Sequence, residues 1–389
     1  MTPKDMLTNP YFCPMPWTGL MYNFDGKVKN CIRSVETMPI GNIQDSSIDQ
    51  IVLGTENINR QSSIIAQNPV PSCQTCYELE RGKKGFDIIS DRIFYIRELK
   101  HVPVSTYQPK NFDLQTIDVR WSNLCNFSCV YCGPVFSSKW ADELKIQPSI
   151  PTDDQREQFK QYIYQHAPTL KHVYLAGGEP LLMKENLELL QKLNPDVQLR
   201  INTNLSKVDT RIFEEICRFK NVHWTISVET IEQEFDYIRY GGKWADFVDN
   251  LKIISKLDHK ITFNMLYFLL NYDSIFGCVD YFKQLGFHNN SFVIGALLNP
   301  LHLNIRHLPE SVLQLIKNKL QIRINEAPGY LLEDSYRNML HYIQQPFDKN
   351  LNDSFAKLAE LDQRRNLDSS KIFKDLYKLR EGNNHGKTI

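Results

Sequence analysis

The chain has 389 residues, 42% of them hydrophobic and 23% charged, the balance of a folded globular protein with room for more than one domain. Lys+Arg and Asp+Glu both number 45, and this zero net charge argues against a protein held on nucleic acid by bulk charge. No run of about 18 apolar residues reads as a membrane span, and Met1–Asp5 lacks the apolar segment of a secretion signal, so a cytoplasmic location is expected.

In chain order, Trp17–Asn23 reads as a strand, Asp25-Gly26 as a hairpin turn, and Lys27–Ile32 as the returning strand. A helix opens at Ser46–Ile51, with a serine in the capping position. Pro71–Cys76 reads as a turn carrying two thiols, Asp87–Lys100 as a helix and Pro103–Pro109 as a linker. From Gln115 a regular alternation begins. Six apolar, β-branched or aromatic runs are expected as strands: 115–121, 171–176, 197–203, 222–228, 261–269 and 291–298. Helical patterns at 154–166, 183–192, 210–219, 244–256 and 274–285 separate them. Such alternation predicts an α/β fold with a parallel sheet. Six units are too few for a closed eight-stranded barrel, so a partial, open (β/α)6 TIM-like barrel is expected. Beyond Pro300 the pattern is helical, with a helix over 309–322 and a frayed end at Glu381–Gly386. The expected domains are an amino-terminal unit (1–110), the barrel (111–305) and a helical extension (306–389).

Nine cysteines, an odd and unevenly spaced set, disfavour a disulfide framework and point to metal or redox chemistry. Seven fall in two groups. Cys125, Cys129 and Cys132 lie in one short loop directly after the first barrel strand, with three and then two residues between them. Three thiolates in a tight loop can hold three corners of a cubane and leave the fourth iron open to a small molecule. A structural zinc site would want a fourth ligand nearby, and no histidine sits in the loop. Cys13, Cys31, Cys73 and Cys76 form the second group, and their number suits either a tetrahedral zinc site or a cubane. Cys217 and Cys278 stand in helical patterns and are read as buried apolar residues.

The loop resembles the CxxxCxxC motif of the radical S-adenosylmethionine (SAM) superfamily, and Tyr131 fits the aromatic residue often found before its third cysteine. Ala176-Gly177-Gly178-Glu179-Pro180, at the end of the second barrel strand, resembles the family's GGEP motif, which receives the SAM amino group. Asn202 and Ser227, near the ends of the third and fourth strands, are similar to polar residues that contact SAM in that family. Glu229-Thr230 replaces the Asp-Gly that follows the serine strand in many relatives. The resemblance implies a [4Fe–4S] cluster on Cys125, Cys129 and Cys132. SAM would bind at Tyr131, Gly177, Gly178, Glu179, Asn202 and Ser227. Reductive cleavage of SAM would give a 5′-deoxyadenosyl radical that abstracts hydrogen from substrate. The amino-terminal hairpin and helix with Cys13, Cys31, Cys73 and Cys76 resemble a twitch domain, which implies an auxiliary iron–sulfur cluster, placed here before the barrel. The implied partners are a peptide or small-molecule substrate and an electron donor such as a flavodoxin or ferredoxin. The first reading of the substrate is a peptide or protein side chain. A small metabolite is the alternative, and a non-catalytic iron–sulfur carrier or zinc-bound interaction protein is the alternative of another class. Glu229, Asn264 and Tyr267 are candidates to face the substrate, and Arg120 to hold a carboxylate. No residue is assigned as the catalytic hydrogen donor.

Overall fold

The computed structural model describes residues 8–81 and 90–382. Among the described residues there are nine strands; β3-β2-β1-β4-β5-β6 are neighbours in that order, as are β7-β8-β9. The strands are β1 (Gly19–Tyr22), β2 (Lys27–Lys29), β3 (Gly41–Asn42), β4 (Thr116–Val119), β5 (His172–Leu175), β6 (Gln198–Thr203), β7 (Val222–Ser227), β8 (Lys260–Tyr267) and β9 (Phe292–Ala296). All six expected barrel strands are present, in sequence order. β4, β5 and β6 run parallel to one another, as do β7, β8 and β9. The five expected intervening helices are present too, over Asp153–His166, Lys184–Leu190, Arg211–Ile216, Trp244–Ile254 and Ser274–Gln284. This is the parallel α/β architecture of a partial barrel.

By its contacts the chain divides into two compact units. The first takes residues up to Leu124, Gln147–Ile201 and Asp209–Val222; the second takes Cys125–Ile146, Asn202–Val208 and the chain from His223.

In the first unit the amino-terminal hairpin is more than a separate appendage. β1 lies parallel against β4, with Leu20 opposite Ile117 and Tyr22 opposite Val119, so the hairpin continues the barrel sheet. The expected strand over Trp17–Asn23 begins later, because Met15–Thr18 is a helical turn. The helix expected to open at Ser46 runs Ile48–Val52, and Ser47 caps it through the Gln50 N–H. A second helix, Thr55–Ile65, follows Gly54. Cys73 ends a short 3-10 turn and Cys76 lies inside helix Gln74–Glu80, so the two thiols straddle a helix start. The helix expected over Asp87–Lys100 spans Asp91–Glu98; residues 87–89 fall outside the described residues. The expected linker contributes to the core: Tyr107 is buried edge-on to Phe12 and Trp17, at 5.1 and 5.6 Å between ring centres.

β4–β6 present two unlike faces, as period-two strands must. Ile117, Val173 and Leu199 share one register row and are sealed from solvent. Asp118, Tyr174 and Arg200 form the row on the opposite face. In the second unit, β7 and β8 bury Trp224, Ile226, Phe263 and Met265. Two helices absent from the sequence reading also appear there, Ser138–Leu144 and Glu232–Ile238. The extension is helical as expected, over Glu310–Glu326, Leu331–Gln344, Leu351–Arg365, Ser369–Ile372 and Lys374–Gly382. Of the frayed end expected over Glu381–Gly386, Glu381 and Gly382 close helix Lys374–Gly382, and residues 383–386 fall outside the described residues. No helix among the described residues is long and apolar enough to cross a membrane.

Candidate metal and cofactor sites

Cys125, Cys129 and Cys132 sit in the irregular loop between β4 and helix Ser138–Leu144. The loop lacks a regular hydrogen-bond ladder, so side chains and neighbouring backbone supply its order. Ser138 Oγ accepts from the Cys125 N–H at 3.1 Å, and Ser137 Oγ donates to the Phe127 carbonyl at 2.6 Å. Trp140 Nε1 donates to the Cys129 carbonyl at 2.7 Å. From the other side, the Ser128 and Val130 N–H groups donate to the Tyr240 and Ile238 carbonyls, each at 2.8 Å. Gly241, at φ +102°, lets that segment lie against the loop: a β-carbon there would come within 2.8 Å of the Asn126 carbonyl.

This anchoring leaves the three thiols close enough to feel one another. Burial pushes the Cys129 thiol well up; Arg239 opposes that, and Cys132, Glu229 and Cys125 add to it. Burial also raises Cys132. A positively charged metal centre that took the thiolates would relieve this penalty, so the donor set suits an iron–sulfur cluster. Asn204 Nδ2 points at Cys125 Sγ, 3.9 Å away, and also donates to Asn126 Oδ1 at 3.1 Å. The sequence reading chose Asn202 on this segment and passed over Asn204. An N–H aimed at a cluster sulfur is a standard way to tune such a centre. Asn202 and Ser227 are half-buried, on the strand faces opposite Ile201 and Ile226.

Tyr131 does not stand alone. Its O–H donates to Glu229 Oε1 at 3.0 Å, and Glu229 is gripped by Arg239. This corrects the reading of Glu229 as a residue facing substrate: it is 1% exposed and its carboxylate is spent on a buried ion pair. Burial alone would lower the Arg239 pKa, but Glu229, Tyr131 and Cys129 more than reverse that and hold it charged. Tyr267 is likewise buried, its O–H donating to the Tyr272 carbonyl at 2.7 Å. Asn264 is half-buried on β8, opposite Ser227.

In the first unit the Gly177-Gly178-Glu179 turn packs on the backbone leading into Cys125. The Glu179 N–H donates to the Leu124 carbonyl at 2.7 Å. A β-carbon on Gly178 would lie 2.2 Å from that carbonyl oxygen, and Gly177 stands at φ +123°. Both positions therefore require glycine. Glu179 is 1% exposed and accepts from the Leu181 N–H at 3.1 Å, which caps the short turn after it. Arg120 lies against Asp118 at 3.4 Å.

The second cysteine group also belongs to the first unit. Cys13, Cys31, Cys73 and Cys76 line one small cavity with Met15, Arg33, Ser34, Asp91, Arg92 and Tyr95. Cys13 is raised by burial, then by Cys73 and Cys31; Cys31 is raised to about 12 by burial, then by Cys73 and Cys76. Four mutually coupled thiols around one void can supply a full set of thiolate ligands. Among the described residues no three His, Cys, Asp or Glu side chains gather tightly enough to hold a single ion; these four border a void. Cys278 is buried as expected, whereas Cys217 is exposed just beyond helix Arg211–Ile216.

Residues 119–282 match the radical SAM superfamily, and residues 13–77 match an iron–sulfur cluster-binding (SPASM) domain. The chain carries a radical SAM domain. The match begins at the end of β4, takes in all three loop cysteines and Gly177–Glu179, and ends after β8. A radical SAM domain implies a [4Fe–4S] cluster and SAM, and the SPASM match, which spans all four amino-terminal cysteines, implies an auxiliary iron–sulfur centre. Beside the radical SAM domain, the chain is similar to 7-carboxy-7-deazaguanine synthase of Clostridium acetobutylicum, 33% identical over 97 residues, which are 25% of this chain and 39% of that protein. Among solved structures it is similar to anSMEcpe with bound AdoMet and Kp18Cys peptide, at TM-score 0.41 and 15% identity over 55% of this chain and 60% of that one. It is also similar to Streptococcus suis SuiB bound to precursor peptide SuiA, at TM-score 0.40 and 15% identity over 54% and 46%. The match thus spans less than two thirds of each of these proteins.

Proposed function

We propose that the protein is a radical SAM enzyme that modifies a peptide or protein side chain. The observation that carries the radical SAM reading is the loop of Cys125, Cys129 and Cys132: three coupled thiols, anchored from both sides, with no fourth protein ligand in the loop. Cys125, Cys129 and Cys132 hold the cluster, while Gly177, Gly178 and Glu179 receive the SAM amino group. Tyr131, Asn202 and Ser227 complete the SAM contacts. When bound, SAM and the reduced cluster supply a 5′-deoxyadenosyl radical that takes hydrogen from substrate. The chain's own work is to hold the thiolates, keep a polar end open for SAM and exclude water. On this reading residues 1–110 form the auxiliary-cluster unit, 111–305 the barrel and 306–389 a helical extension. The electron donor would be a flavodoxin or ferredoxin.

The peptide substrate rests on the auxiliary four-thiol unit, which resembles those of peptide-modifying relatives. The likeness to 7-carboxy-7-deazaguanine synthase favours a second reading, a small-molecule substrate. The deciding experiment is metal content after anaerobic reconstitution, paired with a SAM-cleavage assay. About eight irons per chain and 5′-deoxyadenosine support the assignment; Cys125→Ala, Cys129→Ala or Cys132→Ala should abolish cleavage. No iron and no cleavage would overturn it. Stimulation of 5′-deoxyadenosine release by peptides, or by small heterocycles instead, then separates the two substrate readings.

A further inference from the structure

Three guanidinium groups stand near the amino-terminal thiols, and two of them have carboxylate partners. Arg33 pairs with Asp91, and Arg92 pairs with Glu80. Arg60, on helix Thr55–Ile65, is different. It is 7% exposed, and its hydrogen bonds end on neutral oxygens. Nη1 donates to Asn30 Oδ1 at 3.1 Å and Ser34 Oγ at 3.3 Å; Nη2 donates to the Met38 carbonyl at 2.6 Å and the Pro39 carbonyl at 3.3 Å. Asn30 adjoins Cys31, and Ser34 lines the cavity with the four thiols. The strongest attractions on the Arg60 charge come from Cys73 and Cys31, ahead of Glu56 one helical turn back.

A buried guanidinium without a carboxylate is expensive unless something negative faces it. The thiols fill that role once they are thiolates. The paired arginines add no net charge, nor does Lys29, which pairs with Glu36, so among the described residues Arg60 supplies the surplus positive charge beside the cavity.

We infer that Arg60 is the charge partner of the auxiliary centre and sets its reduction potential. The inference rests on reading that centre as a four-thiolate iron–sulfur cluster. One electron taken up leaves the cluster one unit more negative, with no bond made or broken. A fixed positive charge favours that reduced form and raises the potential. Arg60 therefore makes the auxiliary cluster a better electron acceptor. It is a positioning residue that acts through the cluster.

The test uses the full chain with Cys125→Ala, Cys129→Ala and Cys132→Ala, which leaves one centre to titrate. Iron is counted, and the midpoint potential is read by low-temperature EPR across a dithionite titration. Arg60→Gln should shift the midpoint to more negative potential with iron unchanged, and Arg60→Lys should restore most of it. An unchanged midpoint in Arg60→Gln with iron retained overturns the inference alone. If Arg60→Gln loses the iron, retention in Arg60→Lys supports the charge role, and loss in both overturns it in favour of packing. Zinc in place of iron in the parent overturns the cluster reading beneath it, and with it the inference.

Discussion

Arg239 holds both carboxylate oxygens of Glu229, at 2.7 and 2.8 Å, with side-chain exposures of 2% and 1%. Tyr131 shares the same carboxylate, and the guanidinium lies 5.9 Å from its ring centre. Asn271 Nδ2 donates to the Glu229 carbonyl at 3.0 Å. The end of β7, the end of helix Glu232–Ile238 and the cysteine loop are thereby tied to one buried pair. Removing one partner strands the other charge. Arg239→Met should destabilise the protein by about 3–5 kcal/mol, and Arg239→Met with Glu229→Leu should recover much of that. Urea denaturation under anaerobic conditions measures both. A loss under about 1 kcal/mol in the single variant would mean the pair is not the brace described.

The Gly178 contact makes a sharper claim. A methyl group there meets the Leu124 and Asn123 carbonyl oxygens at 2.2 and 2.6 Å, and backbone cannot yield as a side chain does. Gly178→Ala should push the turn off the backbone segment that leads into Cys125 and weaken SAM binding by roughly tenfold or more, about 1.4 kcal/mol. Gly277, inside helix Ser274–Gln284, has nothing within 4 Å of its β-carbon position. Gly277→Ala should leave SAM affinity intact and stabilise by about 0.5–1 kcal/mol. Equilibrium dialysis with labelled SAM compares the two. Equal affinity in Gly178→Ala would refute the steric argument.

What could be read in advance was local or periodic. The barrel strands announce themselves because Ile117, Val173, Ile201 and Ile226 recur on sealed faces. The cysteine groups stand out because thiol spacing in a loop is chemistry that needs no tertiary context. The β1–β4 pairing was not legible: nearly a hundred residues separate partners such as Leu20 and Ile117, and a four-residue strand carries no register signal. Arg239 was missed for a related reason. An arginine ten residues past Glu229 looks like any surface charge until helix Glu232–Ile238 folds it back. Asn204 had one available signal, a polar residue directly after β6, two positions from the asparagine that was chosen.

The helical extension braces the metal loop from behind. Arg365, at the end of helix Leu351–Arg365, donates to Glu143 at 3.0 and 3.2 Å and lies 4.4 Å from the Trp140 ring centre. Trp140 in turn holds the Cys129 carbonyl. Loss of this cation should loosen helix Ser138–Leu144 and the loop it anchors. Arg365→Met is expected to cost about 1–3 kcal/mol, from the ion pair and the cation–ring contact together. It should also speed iron loss to a chelator. Lys357→Met, an exposed substitution on the same helix, should do neither. Identical chelation rates in both variants would separate the extension from the loop.

His172 gives the fold a pH dependence. It sits in β5 near the rings of Phe94 and Tyr95, and burial, with a smaller push from His101, lowers its pKa to about 4. Glu98, 3.9 Å away and itself 37% exposed, pulls the other way but does not outweigh burial. The unfolded chain binds this proton near pH 6.5, while the folded chain resists it until about pH 4. Unfolding thus takes up a proton in that window. The stabilising contribution is fully present above about pH 6.5 and is lost progressively as pH falls to about 4, by about 3 kcal/mol in all. His172→Gln removes the titrating group and should flatten that slope, even if it lowers stability at pH 7. Urea midpoints at several pH values between 7 and 4.5 test it. Parallel pH profiles for the two proteins would assign the acid sensitivity to other groups.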